Sequence, residues 1–234
     1  MVGQVKVRSF AKEPSVKPFA LLILLIGVGH VCAQEPTHLQ SELYPLKVGT
    51  RWTYRVHDKK APQTKADPMR NVVVAVEREE MYSENRLDKD GKAKLEKFVG
   101  YILKSTSGNK STLDYVVVTR QGLLKVHTAG TPLTPPLLFL KLDIDKGQKT
   151  WDWLSTSGDT TIKGTFTLST DTIRIPAAKE PVNAVLVSYR DHQPKEKQVE
   201  IDFWFVPGVG MVKQRVRERN HDIELELEKY EPAK

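Results

Sequence analysis

Cysteine is nearly absent from this chain. The one residue in 234, Cys32, sits at the end of an apolar N-terminal stretch. No disulfide can form within a single chain, so a folded domain of this size must be held by its core alone. A long hydrophobic run is missing too. The stretch "FALLILLIGVG" (19–29) falls short of the roughly 20 apolar residues that a membrane-spanning helix needs. There is no Gly-x-Ser-x-Gly elbow, no His-x-His and no His-Glu-x-x-His. These absences leave no local motif for serine hydrolysis or zinc chemistry. Amphipathic helical spacing is also scarce, and the best candidate is only "GKAKLEKF" (91–98).

The N-terminus has the layout of a secretory signal. Lys6, Arg8, Lys12 and Lys17 precede the apolar run, and Val31 and Ala33 suit cleavage before Gln34. Residues 1–33 are therefore expected to be removed; an uncleaved anchor is the alternative, and would be the chain's one membrane contact. Val31 and Gly29 fit a lipidation signal at Cys32 badly. The remaining 201 residues, 34–234, contain no cysteine; their 32 basic and 28 acidic residues leave a net charge of +4. That charge is mild and spread along the chain, which gives no footprint for nucleic acid. The expected destination is the periplasm or the extracellular space.

The dominant period is two. In "RWTYRV", Trp52, Tyr54 and Val56 share one face and Arg51, Thr53 and Arg55 the other. "NVVVAVEREEMY" (71–82), "KFVGYILKSTS" (97–107), "TTIKGTFTLSTDTIRI" (160–175), "PVNAVLVSYR" and "QVEIDFWFV" also read as strands. "LDYVVVTR" and "LLKVHTA" flank Gln121-Gly122 as a hairpin. "HDKKAPQTKADP" (57–68), "TAGTPLTPP" (128–136) and "RDHQPKEKQ" (190–198) read as loops. The prolines of the second argue against a central strand. The expectation is a mainly β protein: an antiparallel sheet of about ten strands curved into a half-barrel, barrel or sandwich, with little helix. Residues 34–43 read as a linker, 44–230 as a single domain and 231–234 as a tail.

The last two segments allow a register to be written. A turn at Asn220-His221 sets Arg219, Arg217, Arg215 and Lys213 opposite Asp222, Glu224, Glu226 and Glu228. Val216 then meets Leu225, and Gln214 meets Leu227. "WFVPGVGMVKQ" (204–214) lacks the third glycine and following helix of a phosphate loop. Pro207-Gly208 is expected as a turn, and Gly210 as a place of bulging or close packing.

Candidate chemistry is thin. His38, His57, His127, His192 and His221 lie far apart in sequence, so a zinc site would need distant partners. Asp88-Lys89-Asp90-Gly91 has Arg86 and Lys97 where a calcium loop needs acids, so it reads as a turn. Asp143 and Asp145 share a strand face and could act as paired carboxylates, though lysines surround them. No catalytic, cofactor or metal residue is assigned. Trp52, Tyr54, Trp151, Trp153 and Trp204 are the candidates for an apolar ligand cleft, against plain core packing. Phe203 and Phe205 oppose Trp204, making a strand apolar on both faces, which suits a central strand or one between cavity and core.

Four stretches in order, "YPLKVGTRWTYRV", "DYVVVTRQGLLKV", "PPLLFLKLDIDKGQKTW" and "WFVPGVGMVKQRV", resemble a family of uncharacterised secreted or envelope β-rich bacterial proteins. The resemblance covers about 44–230. Pro176-Ala177-Ala178-Lys179 departs from the Pro-Ala-Gly turn common in that family. The pattern is also similar to the half-barrels of lipoprotein carriers. Export, the β-rich pattern and the aromatic strands point to a non-enzymatic envelope protein that binds an apolar small molecule, a lipid or an envelope protein. A structural adaptor without ligand, and less favoured a hydrolase, are the alternatives.

Overall fold

The computed structural model describes residues 43–60, 70–87, 90–141, 149–192 and 198–234. The sequence-level readings of 1–42, Asp88-Lys89, Asp143 and Asp145, and the middles of the loops 57–68 and 190–198 fall outside these residues. Among the described residues twelve strands are present: β1 (Arg51–Asp58), β2 (Arg70–Leu87), β3 (Ala93–Ser107), β4 (Lys110–Val118), β5 (Gly122–Thr128) and β6 (Thr131–Lys141), followed by β7 (Thr150–Ser157), β8 (Thr160–Ile173), β9 (Val182–Asp191), β10 (Glu200–Val206), β11 (Gly210–Arg217) and β12 (Asp222–Glu231). Each pairs antiparallel with its sequence neighbours, and β1 pairs with both β2 and β12. The result is a closed up-and-down barrel. Closure removes the free edges that would otherwise template aggregation.

The described residues form twelve strands, close to the ten or so expected, and two stretches expected to be otherwise lie in strands. The helix candidate 91–98 forms the start of β3, with Phe98 opposite Tyr82 and Leu95 opposite Asn85. An isolated eight-residue helix is marginal in water, and a hairpin with Gly91 at φ +74° supplies the pairing instead. The proline-rich stretch lies partly in β6. Its prolines are tolerated because the ladder is thin there. Among the described residues β6 pairs with β7 only at Leu133–Ser157 and Thr134–Thr156, and the β5–β6 register shifts twice.

The last hairpin also differs from expectation. Glu218 and His221 exchange both backbone hydrogen bonds (2.9 and 3.3 Å), so the turn is Arg219-Asn220. This sets Lys213, Arg215 and Arg217 opposite Glu226, Glu224 and Asp222, a shift of two residues. A shift of two leaves every side chain on its expected face, since the strand period is two. Gln214 and Val216 therefore still face aliphatics, Leu225 and Ile223.

The basic residues also reach beyond their cross-strand partners. Arg215 grips Asp222 through Nε and an Nη (2.8 and 2.6 Å), while Arg217 turns to Glu200 (2.6 Å) and Asp202 (2.9 Å) on β10. Asp202 also receives Arg190 (2.9 Å) and the Ser188 hydroxyl (2.7 Å). On the other side Lys213 bridges Glu224 and Glu226, Lys59 meets Glu224 at 2.7 Å, and Arg55 pairs with Glu228. Asp202, Asp222 and Glu224 are buried beneath this layer of long side chains. Their pairing and hydrogen bonds hold all three carboxyls below the usual range, against the opposing effect of burial.

Candidate functional site

An eight-stranded barrel has an interior just wide enough for its own side chains or one small ligand, and the diameter grows with strand number. Twelve strands enclose more room than ordinary side chains fill. This chain fills one end with aromatic rings. At the end where β1, β9 and β11 begin, Trp52 and Tyr54 point inward and are fully buried. Tyr44, just ahead of β1, stacks on Trp52 (5.4 Å, 17°) and meets Phe205 edge-on (5.9 Å). Tyr230 stacks on the same indole at 6.0 Å. Trp52 Nε1 donates to Val209 O (2.5 Å) and the Tyr54 hydroxyl to Met211 O (2.8 Å), which ties this plug to β11 and the turn before it. Trp151 stacks flat on Phe166 (5.3 Å, 6°) and donates Nε1 to Leu138 O at 3.0 Å.

"VPGVG" is what permits the plug. Gly210 has φ +96°, and a Cβ there would stand 3.0 Å from Tyr44 Cδ2 and 3.2 Å from Trp52 Nε1. The register shift between Trp204 and Phe205 lies beside it. The motif is thus a turn and a close-packing point.

The opposite half of the barrel holds a cavity of about 380 Å³. Its lining residues lie near the strand ends at the Lys110, Thr160 and Asp222 side: Val72, Ser105, Thr128, Leu133, Ile162, Ile201 and Leu225. Phe139, Phe166, Phe203, Phe205, Met211 and Tyr44 complete the wall and floor. Tyr189 lines it too, and its ring lies over Gly164, where a Cβ would come within 2.4 Å of Tyr189 Cε2. Burial, and after it the negative charge of Asp191, pushes the Tyr189 phenol up to about 12. Burial also holds the Tyr44 phenol far above its ordinary value, with Asp114 adding to the effect. Both are neutral hydrogen-bonding groups at any physiological pH. Among the described residues, the only charged ones on the wall are Asp114 and Lys125, paired at 3.1 Å.

This polarity is the reverse of a membrane-spanning barrel, whose lumen is polar and whose outer band is apolar. Here the interior is apolar, and the outward face of β9–β12 carries the ionic network described above. Among the described residues no helix is long and apolar enough to cross a membrane.

None of the five aromatic residues singled out in the sequence lines the cavity. Trp52, Tyr54 and Trp151 point inward but are consumed by the plug and by packing. Trp153 is opposite Gly164, and its Nε1 is buried without a partner among the described residues. Trp204 points away from the interior, donates to Asp171 Oδ2 at 2.8 Å and lies beneath Lys213 Nζ. The cavity belongs instead to the opposite face of the same strand, Phe203 and Phe205. The two-faced apolarity of "DFWFV" was the sequence signal for it.

The described histidines are scattered. His57 lies 4.0 Å from Glu226, His127 packs on Tyr115, His192 Nε2 is 2.8 Å from Thr165 Oγ1, and His221 Nδ1 is 3.3 Å from Asp58. Among the described residues no three His, Cys, Asp or Glu side chains gather as a metal cluster.

No protein-family model matches the chain, and no curated protein matches it in sequence. Two solved structures resemble it, each over 81% of this chain. One, described as a "putative lipoprotein" from Parabacteroides distasonis ATCC 8503, is 13% identical, with 98% of its own chain covered and a TM-score of 0.45. The other, an exported protein described as "putative" and as having a YmcC-like fold, comes from Bacteroides fragilis NCTC 9343. It is 10% identical, with 99% of its chain covered and a TM-score of 0.38. At these values the likeness carries no argument about function.

Proposed function

We propose that this protein is an exported, non-enzymatic binding module that holds a small apolar ligand inside its barrel. The observation that carries the reading is the cavity. At about 380 Å³ it falls within the range of roughly 300–1,000 Å³ used by small-molecule sites. Its wall is aliphatic and phenylalanine-rich, with a few hydrogen-bonding groups at one side. A closed barrel holds such a wall rigidly, and an apolar ligand gains the free energy of leaving water without unfolding anything. Export rests on the basic, apolar and small-residue order of residues 6–33.

The test is native mass spectrometry of protein purified from cells. A bound mass that disappears after organic extraction, and uptake of an apolar environment-sensitive dye by the extracted protein, are expected. The absence of both a bound mass and dye uptake would refute the reading.

A second reading, binding of an envelope protein, is supported by the β2–β3 hairpin. It runs past its neighbours, with β1 pairing β2 only at residues 70–75 and β4 pairing β3 only from Gly100 onward. Met81 and Leu95 are exposed on it. Cross-linking from a photoreactive residue at position 81 in living cells tests this, and a cross-link pattern identical to that from exposed Leu154 would count against it.

A further inference from the structure

Among the described residues, charge enters the cavity wall at one place. Asp114 on β4 and Lys125 on β5 both line the cavity, and Lys125 Nζ donates to Asp114 Oδ2 at 3.1 Å. Asp114 has a second task, because its Oδ1 accepts the Ala129 N–H at 2.9 Å and so fixes the β5–β6 turn. Lys125 has no such task. Its ammonium carries three donors, of which Asp114 takes one. Nζ stands 5.8 Å from the centroid of Phe139, and the side chain stays 27% exposed. Ser105 on β3, the strand beyond β4, and Thr128 on β5 itself also line the wall. Placing an ion pair on an apolar wall is costly unless its remaining hydrogen-bonding capacity is met. The donors left over on Lys125 ask for an acceptor that enters the cavity with an apolar body.

We propose that Lys125 is the head-group site for a single-chain amphiphile that ends in a carboxylate. The proposal rests on the cavity being a ligand site. The head meets Lys125 through a charge-assisted hydrogen bond, with Ser105 and Thr128 beside it. The chain runs toward Phe203, Phe205 and Phe166. A cavity near the low end of the small-molecule range takes one acyl chain rather than two. Asp114 competes for the same ammonium, which keeps affinity moderate and the ligand exchangeable.

The experiment measures affinities of dodecanoate, dodecanol and dodecylammonium for the extracted protein by calorimetry at neutral pH. Dodecanoate is expected to bind at least about tenfold tighter than dodecylammonium, the factor given by a charged hydrogen bond of about 1.5 kcal/mol. Lys125→Met is expected to weaken dodecanoate at least about tenfold more than dodecanol, and Lys125→Arg to restore the difference. Equal binding of all three chains by the unmodified protein overturns the head-group assignment and leaves the apolar cavity standing. A carboxylate preference that survives Lys125→Met overturns it as well. Binding of none of the three overturns the cavity reading itself.

Discussion

Replacing Gly210 with alanine tests the plug that closes one end of the barrel. Two costs add. At φ +96° an L-residue is in the left-handed half of backbone space, a cost of about 1–2 kcal/mol. The new Cβ then stands 3.0 Å from Tyr44 Cδ2 and 3.2 Å from Trp52 Nε1. Neither ring can slide away cheaply. Trp52 is held by its 2.5 Å hydrogen bond to Val209 O and sits between Tyr44 and Tyr230, while Tyr44 abuts Phe205. Overpacking of this kind costs about 1–3 kcal/mol. Gly210→Ala is thus expected to destabilise by about 2–5 kcal/mol, a large fraction of the 5–15 kcal/mol of a typical domain. Gly208→Ala is the control. It has φ +76° but nothing within 4 Å, so only the backbone cost of about 1–2 kcal/mol applies. Equilibrium urea unfolding followed by tryptophan fluorescence measures both. Equal losses in the two variants would refute the claim that Gly210 is required by packing.

Further expectations follow from the ion network, the phenols, the cavity and one turn. Asp202, Asp222 and Glu224 have folded pKa values below their unfolded ones. The stability they contribute is present above the unfolded values and lost as pH falls through the folded ones. Urea midpoints should be level near neutrality and drop below about pH 4, and Asp202→Asn should flatten that drop. Asp202→Ala should cost about 2–3 kcal/mol, less than a wholly buried pair, because Arg190 and Arg217 can reach water. The buried phenols of Tyr44, Tyr54 and Tyr189 have raised folded values. Their contribution is complete below the unfolded phenol value and fades above it, so alkaline unfolding should set in beyond about pH 10. Ile162→Trp fills the cavity from its wall and should lower dye uptake at least about tenfold with little change in melting temperature. Ala129 occupies φ +48° ahead of Gly130 in a two-residue turn, so Ala129→Asn should raise stability by about 0.5–1 kcal/mol in urea unfolding.

Much of the fold was legible because strand faces write themselves into sequence with a period of two. Trp52-x-Tyr54 announced one inward face, and Phe203-Trp204-Phe205 announced a strand with apolar surroundings on both sides. The faces of the charged last hairpin were legible for the same reason. Its register was not, because a shift of two residues preserves every face and the turn alone decides it. "GKAKLEKF" reads equally well as helix or strand, and only the long partner in β2 settles the matter. The β6 prolines are compatible with a strand only where neighbouring ladders are interrupted, and no single segment records that.

The candidate site divides along the same line. By itself the sequence determined a β-rich domain without disulfides, its inward aromatic faces and the role of "PGVG" at Pro207–Gly210 as strand connection rather than phosphate loop. The tertiary structure alone decided which aromatic residues plug the barrel and which line its cavity. Trp52, Tyr54 and Phe205 all point inward, but their height along the barrel depends on strand tilt and stagger, which are properties of closure. It alone brought Asp114 and Lys125 onto one wall. They are eleven positions apart on neighbouring strands, and a bulge between Tyr115 and Val116 sets which residues of those strands stand opposite each other.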